Sequence, residues 1–179
     1  MEDQLKHISK FISLVLRHKP EKINLQLNEN GWANVQELIS KINSKGFTIN
    51  ENILQAIVST NDKKRFAFNE DKTLIRANQG HSIEVELGLQ ETIPPNILYH
   101  GTATKYLNSI LQHGLLKQGR QHVHLSETIE TAKAVGSRHG KPVVLIINAK
   151  TMQEAGFSFY LSNNSVWLTD TVPIQYISQ

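Results

Sequence analysis

Apolar residues near the start of the chain recur every three or four positions, which is the spacing of an amphipathic helix. The pattern runs from Leu5 to Leu16. Pro20 follows and cannot sit inside a helix, so the pattern predicts that Arg17 and His18 lie at the helix C-terminus. The negative end of the helix dipole favours cations, and this location suits the positive charge of Arg17.

Two more helices are predicted before the first strands. Asn34, followed three residues later by Glu37, resembles a capping box, and the apolar face that begins at Val35 continues until Gly46. A third apolar face covers residues 53–58. The first sixty residues are therefore predicted to hold three helices.

Two short segments of strand-forming residues, 65–68 and 73–76, flank the polar turn 69–72. They predict a β-hairpin. Three helices followed by a hairpin is the order of a winged helix, a fold that often but not always binds nucleic acid. We expect a winged-helix lobe over residues 1–80.

The pattern changes to short strands beyond Pro94-Pro95, a pair that cannot lie inside a helix or a central strand. We therefore place a linker at residues 81–93 and a second lobe at 94–179. Strands are predicted at 97–99, 123–125, 143–147, 157–161, 166–168 and 174–177, with helices at 106–112 and from 126 to about 136. The predicted fold class is α+β, with a β-rich second lobe.

The composition restricts the chemistry that the chain can perform. Its 179 residues include no Cys, which excludes disulfides, thiolate metal sites, iron–sulfur clusters and cysteine nucleophiles. No apolar run approaches the roughly 20 residues that span a bilayer, and the acidic start is unlike a signal peptide, so we expect a cytoplasmic protein with no membrane partner. The net charge of +3 suits an anionic partner.

Common nucleotide and metal motifs are absent from the sequence. It contains neither GxxxxGKS/T nor GxGxxG, so we expect no P-loop or Rossmann site. His122 and His124 alternate along a predicted strand, but without HExxH or an evident third ligand we expect no metal. Tyr99-His100-Gly101-Thr102 offers hydrogen-bonding groups and a glycine that a ligand could approach closely, while a buried structural role for His100 is the alternative.

Seven motifs in one order resemble the NAD-dependent RNA 2′-phosphotransferases, which remove the splice-junction 2′-phosphate from tRNA. Together the motifs are far more specific than any one of them, and they extend along nearly the entire chain. They are Ser13–Pro20, Gly31–Ala33, Asp62–Phe66, Gln79–Ser82, Tyr99–Thr102, Val123–Ser126 and Asn164–Thr169. The resemblance implies an N-terminal winged-helix RNA lobe and a C-terminal NAD lobe of the ADP-ribosyltransferase type.

The resemblance also implies an Arg-His-Arg-Arg group that binds the transferred phosphate. Matched motif by motif, its members in this chain are Arg17, His18, Arg65 and Arg120. Guanidinium groups suit this task because they bind a phosphate dianion through paired, charge-assisted hydrogen bonds. Arg138 is a second candidate for an arginine that faces a ligand, and we assign it to NAD.

The second lobe is expected to bind NAD through two further family motifs. These motifs assign His100, Gly101, Thr102, His124 and Ser126 to NAD, and Arg138 is a further candidate outside the motifs. A third motif falls at Asn164–Thr169, which lacks the Glu that many protein-modifying ADP-ribosyltransferases carry there. Ser165 stands where the family commonly has Gly, and a Ser can still form the turn.

The implied reaction uses an RNA with an internal 2′-phosphate and NAD as a co-substrate, without a metal. The phosphate displaces nicotinamide from the ribose, and a ribose hydroxyl then attacks the phosphorus of the ADP-ribosylated RNA. Two alternatives stay open: a winged-helix nucleic-acid-binding regulator that senses NAD or ADP-ribose, and an ADP-ribosyltransferase that acts on nucleic-acid terminal phosphates. No heptad seam or apolar patch is evident, so we expect a monomer.

Overall fold

The structure, a computed structural model, describes residues 2–61 and 63–179, so Asp62 of the Asp62–Phe66 motif lies outside the described residues. The chain divides into two compact units, Met1–Gly88 and Leu89–Gln179. Both contain helices and antiparallel sheets, which places the chain in the α+β class. Within the described ranges, none of the helices combines the length and hydrophobicity that a membrane-spanning segment requires.

The N-terminal unit contains the three predicted helices and the predicted hairpin. Its elements are α1 (Glu2–Arg17), β1 (Ala33–Asn34), α2 (Val35–Asn43), α3 (Glu51–Ser59), β2 (Phe66–Phe68) and β3 (Leu74–Ala77). The side chain of Asn34 accepts a hydrogen bond from the Glu37 backbone N–H at 3.0 Å, which confirms the predicted start of α2. Asn50 caps α3 in the same way through the N–H of Ile53.

The core of this unit forms where the apolar faces of the helices meet the hairpin. Ile12 and Leu16 of α1, Leu38 of α2, Leu54 of α3 and Ile75 of β3 are completely buried. Burial of each such side chain contributes about 2 kcal/mol of stability. The helical periodicity of the sequence therefore identified the core-facing residues.

Strand β1 is an element that the sequence pattern did not predict. Ala33 pairs with Ile75 and Asn34 with Leu74, which makes an antiparallel sheet in the order β1-β3-β2. A strand of two residues is too short to show alternation, so its pairing partner is what defines it.

Residues 81–86, which the sequence analysis assigns to a linker, are hydrogen-bonded to the N-terminal unit. The N–H of Ser82 donates to the carbonyl of Arg17 at 3.0 Å, and the N–H of Glu86 donates to the carbonyl of Glu29 at 2.7 Å. The side chain of Asn30 donates in turn to the carbonyl of Glu86 at 2.7 Å. These bonds attach the segment to the end of α1 and to the loop before β1.

The C-terminal unit is built from short antiparallel sheets and three helices. Its elements are β4 (Leu98–Ala103), α4 (Thr104–His113), β5 (Leu115–Leu116), β6 (Val123–Leu125), α5 (Ile129–Gly136), β7 (Pro142–Ile147), α6 (Ala149–Glu154), β8 (Tyr160–Leu161), β9 (Trp167–Thr169), β10 (Thr171–Val172) and β11 (Ile177–Ser178). The sheets have the orders β11-β7-β4, β6-β9-β8 and β10-β5. Leu98, Leu145, Ile147 and Phe159 are completely buried in its core.

Several predicted elements of this unit have other bounds in the structure. The strand predicted at 157–161 is confined to Tyr160–Leu161, and the helix predicted from 126 begins at Ile129. Strand β4 continues through Ala103, so the Tyr99–Thr102 motif lies within the strand, whereas the predicted strand ends at Tyr99. The prediction of a strand over 174–177 was wrong for its first three residues, since Ile174–Tyr176 is a 3-10 helix. Pro173 precedes that helix and cannot donate to a sheet, which explains why the chain does not pair there.

Candidate functional site

Arg17 and His18 lie at the C-terminal end of α1, as the sequence predicts. The helix ends at Arg17, and the N–H of His18 still donates to the carbonyl of Leu14 at 3.0 Å. The Nε and Nη2 atoms of Arg17 are buried. The Nδ1 atom of His18 lies 2.9 Å from the hydroxyl oxygen of Ser82. Both side chains are therefore held at the edge of the N-terminal core.

Arg65 lies in a loop whose backbone is fixed by two asparagines. The N–H of Arg65 lies 3.3 Å from Oδ1 of Asn61, and the carbonyl of Arg65 accepts from the N–H of Asn78 at 2.9 Å. The side chain of Asn78 donates to the carbonyl of Lys64, which adopts a left-handed φ of 41°. These bonds fix the backbone of Arg65 just before β2. The residue itself is half-buried.

His81 is a buried histidine close to this group that the sequence analysis left without a role. Burial, together with the smaller effect of the positive charges of Arg17, His18 and Arg76, lowers its pKa from 6.5 to about 4. Neither ring nitrogen has a hydrogen-bond partner among the described residues. His81 is therefore neutral at physiological pH. His81 belongs to the Gln79–Ser82 motif, and that membership is the sequence signal that could have marked it as a candidate functional residue.

In the N-terminal unit, the backbones of the predicted phosphate-binding residues Arg17 and Arg65 are connected through hydrogen bonds to one segment. A single five-residue segment, Asn78–Ser82, is hydrogen-bonded at its start to Arg65 and at its end to Arg17. Arg17 and Arg65 contribute two permanent positive charges, and a neutral His81 adds none. Such an arrangement suits an anionic ligand.

His100 lies on β4 in the C-terminal unit, with its ring bonded to a neighbouring strand. Its Nδ1 donates to the carbonyl oxygen of His124 on β6 at 3.0 Å. Burial lowers the pKa of His100, the nearby charge of Arg120 lowers it further, and the bond to His124 raises it in part. A neutral ring that donates from Nδ1 presents Nε2 as a hydrogen-bond acceptor. Hydroxyl groups of a ribose are suitable donors to such a nitrogen.

Gly101 and Thr102 lie on the same strand and are enclosed by protein. A Cβ atom at residue 101 would lie 1.6 Å from the carbonyl oxygen of Ala132 on α5. A Cβ at Gly136 would likewise lie 2.5 Å from the carbonyl oxygen of Thr102. The backbones of β4 and α5 are in direct contact, so packing alone requires both glycines. The assignment of Gly101 and Thr102 to NAD stays a prediction.

Arg120, His124 and Ser126 lie close to His100, and among the described residues no hydrogen bond joins them to Arg138. Nη1 of Arg120 lies 3.2 Å from Nδ1 of His124. Ser126 and Tyr99 exchange two backbone hydrogen bonds of 2.8 Å, which connects β4 to the end of β6.

Arg138 lies just beyond α5, where its N–H approaches the carbonyl of Val135 at 3.3 Å. Its exposed side chain makes no hydrogen bond or ion pair to another described residue.

The structure also shows a partly buried contact that the sequence did not indicate. The indole N–H of Trp167 donates to Oε1 of Glu127 at 2.8 Å, which joins β9 to the residues before α5. Of the two histidines predicted to alternate along one strand, only His124 lies in β6, while His122 precedes it. The ring of His122 lies 5.8 Å from that of Tyr160, and His124 contacts Arg120. Among the described residues no group of three or more His, Asp or Glu side chains is placed to hold a metal ion.

The chain is similar to known proteins over nearly its whole length. A model of the family described as "RNA 2'-phosphotransferase, Tpt1 / KptA family" matches residues 3–171. Among the similar proteins, one from Flavobacterium johnsoniae is 59% identical over 98% of this chain and 97% of its own length. One from Fusobacterium nucleatum is 58% identical over 99% of both chains. Each is named "Probable RNA 2'-phosphotransferase".

The chain belongs to the Tpt1/KptA family. The Tpt1/KptA match includes both structural units, and all ten residues assigned to the site from the sequence lie inside it. The resemblance found in the seven motifs is thereby confirmed at the level of the family.

Proposed function

We propose that this protein transfers an internal 2′-phosphate of RNA to NAD. The products are RNA with a free 2′-hydroxyl, nicotinamide and ADP-ribose 1″,2″-cyclic phosphate, formed through an ADP-ribosylated RNA. The observation that carries the proposal is the match to the Tpt1/KptA family over residues 3–171. The geometry within each unit supports the roles of individual residues.

In this proposal the N-terminal unit is a winged helix that binds the RNA. The order α1, β1, α2, α3, β2, β3 and the three-stranded antiparallel sheet support that description. Arg17, His18 and Arg65 contact the 2′-phosphate. Two guanidinium groups on a fixed framework neutralise the dianion, and they stabilise the charge on phosphorus when the phosphate is transferred.

The C-terminal unit, in our proposal an NAD lobe of the ADP-ribosyltransferase type, binds the co-substrate. NAD supplies an electrophilic ribose carbon and a neutral leaving group. The acceptor nitrogen of neutral His100 suits a ribose hydroxyl, and Thr102, His124, Ser126 and Arg138 are further candidates for contacts with NAD. Arg120, whose guanidinium contacts His124, is assigned to the phosphate.

The two chemical steps make different demands on these residues. The first step has an anionic nucleophile, so it needs a phosphate held in line rather than a strong base. The second step must activate a ribose hydroxyl and protonate the departing 2′-oxygen of the RNA, which requires proton transfer. We assign His18 to this second step, since it is a titratable ring within the proposed phosphate-binding group.

Incubation of the purified protein with a short RNA that bears one internal 2′-phosphate tests the proposal. The reaction is run with and without NAD, and the RNA and nucleotide products are resolved by mass. We expect removal of the phosphate only with NAD, together with ADP-ribose cyclic phosphate. Intact NAD and unchanged RNA would instead support the binding regulator. An RNA with only a 5′-terminal phosphate is the parallel substrate, and its ADP-ribosylation would reveal transfer to terminal phosphates.

A further inference from the structure

The hydrogen bonds of the Asn78–Ser82 segment place its last residue directly beside the proposed catalytic histidine. The segment begins at Asn78, which donates to the carbonyl of Arg65, and ends at Ser82, which donates to the carbonyl of Arg17. Ser82 therefore has a fixed backbone position relative to the end of α1. Its hydroxyl oxygen lies 2.9 Å from Nδ1 of His18.

A serine hydroxyl can serve as donor or acceptor, and this property matters opposite a ring that transfers protons. When Nδ1 of His18 carries a hydrogen, the Ser82 oxygen accepts it, and when Nδ1 is bare the hydroxyl donates to it. The contact is thus available in every protonation state of the ring. A backbone N–H or a backbone carbonyl as the partner would match only some of those states.

We propose that Ser82 is a positioning residue that holds the His18 ring by Nδ1 and directs Nε2 toward the transferred phosphate. This inference rests on the proposed function, because the contact between Ser82 and His18 is proposed to serve the second chemical step. Ser82 itself does not touch the substrate in this proposal. It acts through the orientation of His18.

The neighbouring His81 explains how the segment keeps its place. Its side chain is only 1% exposed, and the Nε2 atom would lie 3.5 Å from a Cβ on Gly31, a residue with a left-handed φ of 76°. His81 therefore anchors the segment inside the unit while Ser82, the next residue, remains exposed. Removal of the Ser82 hydroxyl should leave the core intact because no buried volume is lost.

Ser82→Ala tests the proposal in the reaction with 2′-phosphorylated RNA and NAD. We expect kcat to fall roughly tenfold, which is the scale of one lost hydrogen bond, with little change in KM. The ADP-ribosylated RNA should accumulate because the second step slows more than the first. Ser82→Thr keeps the hydroxyl and should retain most of the activity. Ser44→Ala, which removes another exposed hydroxyl of the same unit, is the matched control and should behave as the parent protein.

Three results would overturn the proposal. The first is unchanged kinetics of Ser82→Ala, and the second is an equal decrease in the rates of both chemical steps. The third is accumulation of ADP-ribosylated RNA by Ser82→Thr to the same extent as by Ser82→Ala. If the parent protein itself leaves the RNA and NAD unchanged, the proposed function fails instead.

A measurement on the free protein tests the contact separately from activity. Nitrogen-15 NMR of the His18 ring should show a change at Nδ1 in Ser82→Ala and none in Ser44→Ala. An unchanged Nδ1 signal in Ser82→Ala would refute the hydrogen bond on which the proposal depends.

Discussion

The two units support their candidate residues in different ways. In the N-terminal unit Arg17 and His18 lie at the end of α1, and Arg65 lies in a loop. The Asn78–Ser82 segment donates backbone hydrogen bonds to Arg17 and to Arg65. In the C-terminal unit His100 and its neighbours lie inside paired strands whose backbone contacts a helix. A side chain at a helix end can be replaced without disturbing the core, whereas a change inside β4 alters the packing itself. Substitutions at the candidate residues of the N-terminal unit should therefore lower activity more than stability. Substitutions inside β4 should lower stability.

Gly101→Ala should have the largest effect, because the new Cβ would overlap the carbonyl of Ala132, 1.6 Å away. The overlap is between the new Cβ and backbone atoms, so no side-chain rotation can remove it. We expect the free energy of unfolding to fall by more than about 4 kcal/mol and the C-terminal unit to fail to fold. Urea denaturation and amide hydrogen exchange in β4 measure this. Gly119→Ala, where nothing lies within 4 Å, is the control and should change stability by about 0.5 kcal/mol or less. An unaltered midpoint for Gly101→Ala would contradict the packing described.

Arg65→Ala should show the opposite behaviour, with a large loss of activity and little loss of stability. Removal of one guanidinium from the proposed phosphate site is expected to lower kcat/KM about a hundredfold and to weaken RNA binding. The melting temperature should change by only a few degrees, because the side chain is outside the hydrophobic core. Lys45→Ala, which removes an exposed cation of the same unit, should leave kcat/KM unchanged. Kinetics of Arg65→Ala equal to those of the parent would remove Arg65 from the site.

The depressed pKa of His81 predicts a stability change with pH in the N-terminal unit. Its folded pKa is about 4 and its ordinary value is 6.5, so the unfolded chain binds a proton first as the pH falls. The stability contributed by neutral His81 is complete above pH 6.5 and is lost between pH 6.5 and 4. The expected loss is about 3 kcal/mol, from the free-energy equivalent of a pKa difference. Proton NMR of the His81 ring should give a midpoint near pH 4, whereas a midpoint near 6.5 would contradict its burial among cations.

Ser165→Gly should give the smallest effect, and a stabilising one. Ser165 has a left-handed φ of 59°, a conformation that costs a residue with a Cβ about 1 kcal/mol and glycine much less. We expect the free energy of unfolding to rise by about that amount. Ser137→Gly is the comparison with the opposite expected sign, because Ser137 has a φ of −63°. Glycine there adds flexibility to the unfolded chain and removes the hydrogen bond from the Ser137 hydroxyl to the Ala134 carbonyl. Destabilisation by Ser165→Gly would show that the Ser162–Val166 turn depends on the serine.

Helical elements could be predicted from the sequence more completely than the short strands. The apolar spacing of α1, the Asn34 cap of α2 and the Pro20 that follows α1 are local signals, and each appears where it was predicted. Strands β1, β5 and β10 have two residues each and were missed. Such strands exist because a distant partner supplies their hydrogen bonds, as Thr171 does for Leu116. No window of sequence around them contains that information.

The sequence by itself determined the family, through seven ordered motifs, and the identity of the charged residues at the end of α1 and before β2. Those features depend on residue type and on local spacing, which one chain displays directly. Only the tertiary structure decided that His81 is neutral, that Ser82 contacts His18, and that Gly101 is required by α5. Each of these depends on atoms that are distant in sequence but adjacent in space, because hydrogen bonding, desolvation and steric overlap act over only a few ångströms.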